Sequence, residues 1–336
     1  MNLNCIDLIH QRERQNLSPY AFLTEKTAGR DHPLASDGVR TQFQRDRDRI
    51  IHSNSFRRLS HKTQVFLDPE GDHYRTRLTH TLETAQIGRS IARALALNED
   101  LTEAACLGHD LGHTPFGHAG EKVLNRLYSG GFKHNEQSLR VVERLEKNFK
   151  GLNLTCEVRE AILRHTGDTP SKTLEGKIVK IADRIAYINH DIDDALRAKI
   201  LSPGDLPREL TDILGQTGSR RINTMINAVI EASGGKNEIT MRGDIQQATE
   251  KLRGFLFENV YGNPAAKSEE KKAEFMLEQL YCHFIKNHRL LPPEYEAVSG
   301  SEGLERAVCD YIAGMTDRYS ISAYCGIFVP KTWREE

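Results

Sequence analysis

The sequence predicts a mainly α protein, and three observations carry that reading. Ile178, Ile181, Ile185, Ile188 and Ile192 recur at steps of three or four, one stripe of a 3.6-residue helix. Residues 72–97 place Leu78, Leu82, Ala85, Ile87, Ile91, Ala92 and Leu95 around most of a helical circumference, the pattern of a buried helix. Strand-type alternation is almost absent, with only "NEITM" reading as a short strand. In order, residues 1–44 read as an irregular lead-in with "GRDHPLASDGVR" as a loop. Helical pattern begins near Phe43 and runs through "RDRDRIIHSNSFRRL". The 72–97 helix follows. Asn98 opens the next helix, which runs to about His109. "GHDLGHTPFGH" breaks it, and another helix runs from Gly117 or His118 to about Leu127. The isoleucine helix spans Glu175 to about Leu201, where "SPGDLP" at 202–207 marks a boundary. Further helices are expected near 208–233, 243–261, 269–290 and 302–317, separated by "SGGKNE", "YGNPAAKSEEKK" and "LLPPEY". The organisation expected is a lead-in (1–44), a core (45–201) and a C-terminal helical region (202–336) packing on that core.

Composition narrows the function classes. The 336 residues are 38% apolar and 28% charged, with a net charge of −1. Such a chain is globular and carries no overall field that recruits nucleic acid or a membrane. Six scattered cysteines without a C-x-x-C pair point to reduced thiols rather than disulfides or a thiolate zinc site. The N-terminus lacks the order of a signal peptide, and no apolar run approaches the ~20 residues that span a bilayer. A cytoplasmic location without membrane partners is the expectation.

The informative polar residues are those in buried elements, because burying them unpaired costs several kcal/mol, roughly 2–7. His80 lies inside the 72–97 helix, either as a core histidine bonded to a carbonyl or as a ligand. His109 and Asp110 end the next helix. Adjacent helical residues point about 100° apart, so both reach one ion only if the helix frays there, which Gly108 and Gly112 would allow. A His109-x-x-x-His113 zinc pair is the alternative, and it needs an unbroken helix through Gly112. His113 otherwise reads as a capping group or a group close behind the metal ligands. Asp183, Tyr187, His190 and Asp194 fall opposite the isoleucine stripe, with Asp191 flanking. A solvated face is the plain reading. Few Lys or Glu and a mid-stripe tyrosine favour a pocket wall instead, with Asp183, Tyr187 and Asp191 at i, i+4 and i+8. Two histidines and two aspartates suit a divalent ion such as Mn, Fe, Zn, Co or Mg, with coordination sites left for water and substrate oxygen.

Arginines suggest the substrate. Arg45, Arg47, Arg49, Arg57, Arg58, Lys62, Arg75 and Arg77 crowd into about a tenth of the chain. Guanidinium forks match phosphate oxygens. "RDRDR" is also able to pair with its own aspartates, whereas Arg77 stands one turn before His80 on the buried helix.

His80, His109-Asp110 and Asp183 resemble the H…HD…D signature of HD-domain metal-dependent phosphohydrolases. "RDRDRIIHSNSFRRLSHKTQVF", "HDLGHTPFGHAGE", "KIADRIAYINHDIDDA" and "DYIAGMTDRYS" resemble the deoxyguanosinetriphosphate triphosphohydrolase-like (dNTPase) family, strongly over 45–200 and again near 309–320. The resemblance implies an HD-domain helical core with additional C-terminal helices. It implies metal-dependent hydrolysis of a deoxynucleoside triphosphate to deoxynucleoside and inorganic triphosphate. By position, His80, His109, Asp110 and Asp183 would hold one divalent metal, and further Mg would accompany the nucleotide. His118 and Glu121 match a catalytic pair beside the α-phosphate. His134 matches a histidine that approaches the leaving 5′ oxygen. Gln64 and Arg77 match positions near sugar and phosphates, with His113 expected near the phosphates or behind the metal ligands. Arg184 matches a phosphate contact, and Tyr187 and Asp191 match the sugar-facing wall. Relatives form homo-oligomers, and some respond to nucleotides or single-stranded DNA. Two other readings stand beside this one: an HD phosphohydrolase of nucleoside monophosphates or cyclic nucleotides, and a nucleotide- or nucleic-acid-binding regulator.

Overall fold

The computed structural model describes residues 5–64 and 74–331, and the regular secondary structure among them is helical, without a β-strand. "NEITM" is extended but pairs with nothing as a strand, and Thr63 and Thr76 form an isolated β-bridge. The lead-in is not wholly irregular. It carries helix α1 (Cys5–Asn16), which buries no residue and so has no apolar stripe to announce it. Next come α2 (Gln42–Ile51), held by a Thr41 capping box, and α3 (Asn54–Arg58), capped by Ser53.

Helix α4 (Arg77–Ala94) starts at a Thr76 capping box. Part of the expected 72–97 helix, residues 72 and 73, lies outside the described residues. The described part is shorter and not buried all round, since Leu82 is exposed while His80, Thr84, Ile87 and Ile91 face inward. Helix α5 (Glu99–Gly108) has Asn98 as its N-cap. Helix α6 (Gly117–Leu127) follows the glycine-rich break as expected. The stretch after it, for which no elements were expected, holds α7 (His134–Arg140), a π-helical turn over 141–145, a short turn α8 (Glu146–Phe149) and α9 (Cys156–Arg164).

Helix α10 (Leu174–Arg197) ends four residues before the predicted Leu201. The predicted 208–233 helix is two, α11 (Arg208–Leu214) and α12 (Gly218–Ser233), divided at Gly215, whose φ of 121° no helix accommodates. Helix α13 (Gly243–Asn259) matches its prediction to within two residues. Helix α14 (Pro264–Lys286) begins inside the expected break, because Pro264 is tolerated in a first helical turn. The predicted 302–317 helix is α16 (Leu304–Ala313), preceded by α15 (Glu294–Glu302) and followed by an unforeseen α17 (Asp317–Phe328).

Three apolar clusters hold these helices together. One joins α4 and α10 to α11, α12 and α13 through residues such as Ile87, Ile185, Leu214, Met225 and Leu252, and so crosses the 202–207 segment. A second surrounds α5, with Phe43, Leu101, Ala105, Val158 and Val179. A third joins α6 to α14 and α16 through Val123, Leu277 and Ile312. Helix α10 contributes to the first two. Its polar face is therefore directed into the space between helices rather than into solvent.

Candidate active site

That polar face meets α4 and the α5–α6 loop. Helix α5 ends at Gly108, and residues 109–112 turn away from its axis, so the unbroken helix that a His109/His113 zinc pair needs is absent. Neither Gly108 nor Gly112 has a positive φ. Their role is close approach rather than backbone freedom. A Cβ on Gly112 would stand 2.1 Å from the Ser138 backbone nitrogen, and one on Gly108 would stand 2.5 Å from Ile162 Cδ1. Packed this tightly, the Gly112 N–H donates to Ser138 Oγ (2.9 Å), and that hydroxyl donates to the His109 carbonyl (2.6 Å).

The loop is tied from the far end of the chain as well. Buried Asp317, in "DYIAGMTDRYS", accepts from the backbone N–H groups of Phe116 and Thr63, both at 2.9 Å, and from the Thr63 hydroxyl at 2.7 Å. Buried Lys62 donates to the carbonyls of His113 and Ala313. Desolvation is the main reason its pKa falls to about 7.

His80 Nε2 lies 3.1 Å from Asp183 Oδ1 and 3.9 Å from Asp110 Oδ2. His109 Nε2 lies 3.4 Å from Asp110 Oδ1 and 3.8 Å from Asp183 Oδ1. One ligand atom each from His80, His109 and Asp110 fall within 4.8 Å of one another. Residues from three separate segments thus converge on one point. Burial opposes charge on Asp110, but His109, His113 and Arg77 outweigh it and hold the carboxyl well below its usual range. Asp183 likewise falls to about 2, with burial overcome by the hydrogen bond to His80 and the charge of His109.

These residues fit a divalent ion. His109 Nδ1 faces the Cys106 carbonyl at 2.6 Å, which makes it the donor nitrogen and leaves a lone pair on Nε2. That Nε2 is buried and has no hydrogen-bond partner, the environment of a ligand atom directed at a cation.

Three of the cluster's residues, His80, Asp110 and Asp183, line a cavity of about 550 Å³. Of the residues predicted for the site, Gln64, Arg77, His80, Asp110, His113, His118, His134, Asp183, Arg184, Tyr187 and Asp191 line it, while His109 and Glu121 do not line it and adjoin the lining residues Asp110 and His134. Arg77 donates to Asp110 Oδ2 at 2.9 Å and keeps a buried Nε without a partner. Gln64 has a buried, unpartnered Oε1. His113 Nε2 stands 3.3 Å from Asp110 Oδ1, and burial followed by Arg77 keeps its pKa well below normal. His118 is 86% exposed, yet its Nδ1 reaches Glu121 Oε2 at 3.4 Å. Glu121 also meets His134 Nδ1 at 3.0 Å. Burial opposes its ionisation, but His118 and His134 prevail and hold its carboxyl well below the usual range. Burial pushes the carboxyl of Asp191, which also lines the cavity, up to about 7 despite a hydrogen bond donated by Tyr261.

Sequence reading missed His165, Lys180, Arg253, Phe257 and Tyr261, all of which line the cavity. His165 lay in the stretch for which no elements were expected. The other C-terminal residues carried a usable signal: Arg253, Phe257 and Tyr261 recur at intervals of four, beside the buried stripe Ile245, Thr249, Leu252 and Leu256. The arginine cluster at 45–77 mostly serves the fold. Arg47 pairs with Asp48 and Glu103, Arg49 donates to the Leu152 carbonyl, and Arg75 pairs with Glu83, Asp193 and Asp194.

Residues 77–188 match the HD domain model, and residues 239–325 match the phosphohydrolase-associated domain model. A deoxyguanosinetriphosphate triphosphohydrolase-like protein of Caldanaerobacter subterraneus subsp. tengcongensis is 58% identical over 331 residues, covering 98% of this chain and 97% of the relative. One from Clostridium perfringens is 49% identical, covering 96% and 97%. A crystal structure of a phosphohydrolase from Bacteroides thetaiotaomicron superposes with a TM-score of 0.52 at 18% identity, over 82% of this chain and 66% of that one, a likeness of fold. With near-full-length identity at this level, the chain belongs to the deoxyguanosinetriphosphate triphosphohydrolase-like family of HD-domain phosphohydrolases.

Proposed function

We propose that this protein hydrolyses deoxynucleoside triphosphates, dGTP among them, to deoxynucleoside and inorganic triphosphate, with one divalent ion per site. The observation that carries the reading is the convergence of four cations, Arg77, Lys180, Arg184 and Arg253, with the His/Asp cluster in one cavity. A triphosphate brings about four negative charges, and phosphoryl transfer asks a protein chiefly for alignment and charge neutralisation. A monophosphate or cyclic phosphate would leave most of these cations without a partner.

His80, His109, Asp110 and Asp183 would hold the ion, which supplies Lewis-acid polarisation of a phosphate oxygen when bound. Arg77 and the cations of α10 and α13 hold the phosphate chain. Tyr187, Asp191 and Gln64 face the sugar, with the Tyr187 ring excluding a 2′-hydroxyl by volume. The carboxylate of Glu121 keeps His118 and His134 oriented, and His118, at the cavity's open edge, directs a water toward the α-phosphorus. The water oxygen bonds to phosphorus and gives up one proton to His118, the bond from phosphorus to the 5′ oxygen breaks, and its electron pair leaves on that oxygen. His134 supplies a proton to it.

The test is product analysis with each of the four dNTPs and a series of divalent metals. Triphosphate and deoxynucleoside in equal amounts are expected. Pyrophosphate or monophosphate as the only products would exclude this reaction.

A further inference from the structure

We propose that Asp317 is a positioning residue for His118: it fixes the backbone turn from which the His118 ring reaches the cavity. The proposal rests on the reading of His118 as the group that directs the attacking water and takes its proton, and it brings α17 into that step.

Helix α17 is not held as its neighbours are. Of its 12 residues only Asp317 and Ser320 are buried, while Ala323 and Tyr324 pack partly against the third apolar cluster. A helix docked by an apolar stripe would bury apolar side chains instead. The charged group that α17 inserts is a carboxylate, and burying one is costly unless its oxygens are engaged. Asp317 divides its two oxygens between two segments. Oδ2 accepts from the Thr63 N–H (2.9 Å) and the Thr63 hydroxyl (2.7 Å), which anchors the carboxylate. Buried Lys62, beside Thr63 in the chain, supplies a neighbouring positive charge. Oδ1 is left for the Phe116 N–H at 2.9 Å, two residues before His118.

Phe116 is where the chain turns out of the loop into α6. Its φ of 59° and ψ of 27° are left-handed, and Gly117 follows with a φ of 55°. A residue with a Cβ is disfavoured there and persists only where its surroundings hold it. Two other contacts bear on this turn. The Phe116 ring packs in the third apolar cluster, and Thr114 Oγ1 donates to the Gly117 carbonyl at 2.8 Å. The ring sets where Phe116 lies, and Thr114 closes the turn around it. Neither satisfies the buried Phe116 N–H. Without Asp317 that N–H has lost its acceptor, and rotation of the Pro115–Phe116 peptide toward another re-aims the residues that follow.

His118 depends on this turn because its side chain is weakly held. It is 86% exposed, and Glu121 Oε2 stands 3.4 Å from its Nδ1. A carboxylate only accepts, so Nδ1 carries hydrogen, and the neutral ring offers its Nε2 lone pair to the proton of the water. Glu121 orients the ring, and Asp317 sets the backbone from which it projects. A misplacement of about 1 Å in such a group costs about 10²-fold in rate. Asp317 belongs to the residues matched by the phosphohydrolase-associated domain model, and Phe116 to those matched by the HD domain model. The contact between them makes the first region a support for the chemistry of the second.

The test is a double-mutant cycle. Asp317→Ala, Asp317→Asn and His118→Ala are compared singly and with each Asp317 variant combined with His118→Ala. The measurements are folded fraction, metal content, kcat, KM and the His118 ring resonances of the protein without nucleotide. Asp317→Ala is expected to shift those resonances and to lower kcat about 10²-fold, with KM within about threefold and metal content unchanged. Asp317→Asn has the same shape and keeps one accepting oxygen, so its loss is smaller, about tenfold. Added to His118→Ala, either variant lowers kcat by no more than about twofold further, because Asp317 acts through that ring. Losses that multiply in the combined variants would overturn the proposal, as would unchanged His118 resonances or an unchanged kcat per folded molecule in Asp317→Ala. If Asp317→Ala does not fold, Asp317→Asn carries the same comparisons. Failure of both to fold would assign Asp317 to stability alone and overturn the proposal too. If the wild type cleaves no dNTP, the functional reading fails, and the His118 resonances alone decide whether Asp317 positions the ring.

Discussion

Two polar regions stood out in the sequence, and folding treats them oppositely. The histidines and aspartates at 80, 109–110 and 183 are scattered through about a hundred residues, yet they converge beside a cavity and keep buried nitrogens without partners. The arginine-rich stretch at 45–75 is dense in charge, yet its side chains are engaged by carboxylates and carbonyls of the fold. The clearest case is Asp46 within "RDRDR". It is fully buried, pairs with Arg30, and accepts from the Thr155 N–H (2.9 Å) and hydroxyl (2.6 Å). Charge density along a chain is thus a weak guide to a binding site. Buried polar atoms left without partners are a better one, because a fold has no stabilising reason to keep them.

Mutation sharpens this contrast, most strongly at the cluster. Asp110→Ala or His109→Ala is expected to lower kcat/KM by about 10³-fold or more, with loss of bound metal measured by elemental analysis. Retention of both activity and metal would break the contrast at its stronger end. Arg77→Ala should cost about 10²-fold in kcat/KM, while Arg47→Ala and Arg49→Ala stay within about twofold in steady-state assays. Equal losses at all three would return the arginine stretch to the active site.

Stability supplies the converse test. Asp46→Ala leaves the Arg30 guanidinium buried and unpaired, so denaturant unfolding should show a loss of about 3–5 kcal/mol, while the folded fraction keeps its kcat. A neutral effect on stability would mean that the pair is not structural. The smallest effect expected is in pH dependence. Burial alone would lower the His134 pKa, but the Glu121 hydrogen bond and charge outweigh it and raise it above 6.5. The donor is then protonated below that raised value, and kcat should fall about tenfold per unit as pH rises through it. The same pair contributes stability that is fully present below pH 6.5 and is lost as pH rises through the folded value. Glu121, held well below its ordinary range, keeps its charge in mildly acidic solution, so no acid limb from Glu121 is expected there.

Much of this was legible beforehand, and particular residues show why the remainder was not. Helices with an apolar stripe, such as α10, were readable from periodicity; α1, which buries nothing, was not. His80, His109, Asp110 and Asp183 stood out because polar residues in apolar helices are costly. His165 did not, because it follows a short helix and lines the cavity beside His134, thirty-one residues away in sequence. Arg253 and Tyr261 lay beyond the expected boundary at 202–207, and only packing of α13 against α10 carries them to the cavity. The glycines of the α5–α6 loop were noticed for the wrong reason. Their space matters more than their freedom, since Ser138 and Ile162 occupy the places where side chains would go.

The most direct measurement of the central claim is a time course of phosphorus-containing products from dGTP, with purified wild type and Asp110→Ala side by side in the presence of Mn. The account predicts inorganic triphosphate appearing in step with deoxyguanosine in the wild type and neither product in the variant. Triphosphate release that persists in the variant, or pyrophosphate in place of triphosphate in the wild type, would contradict it.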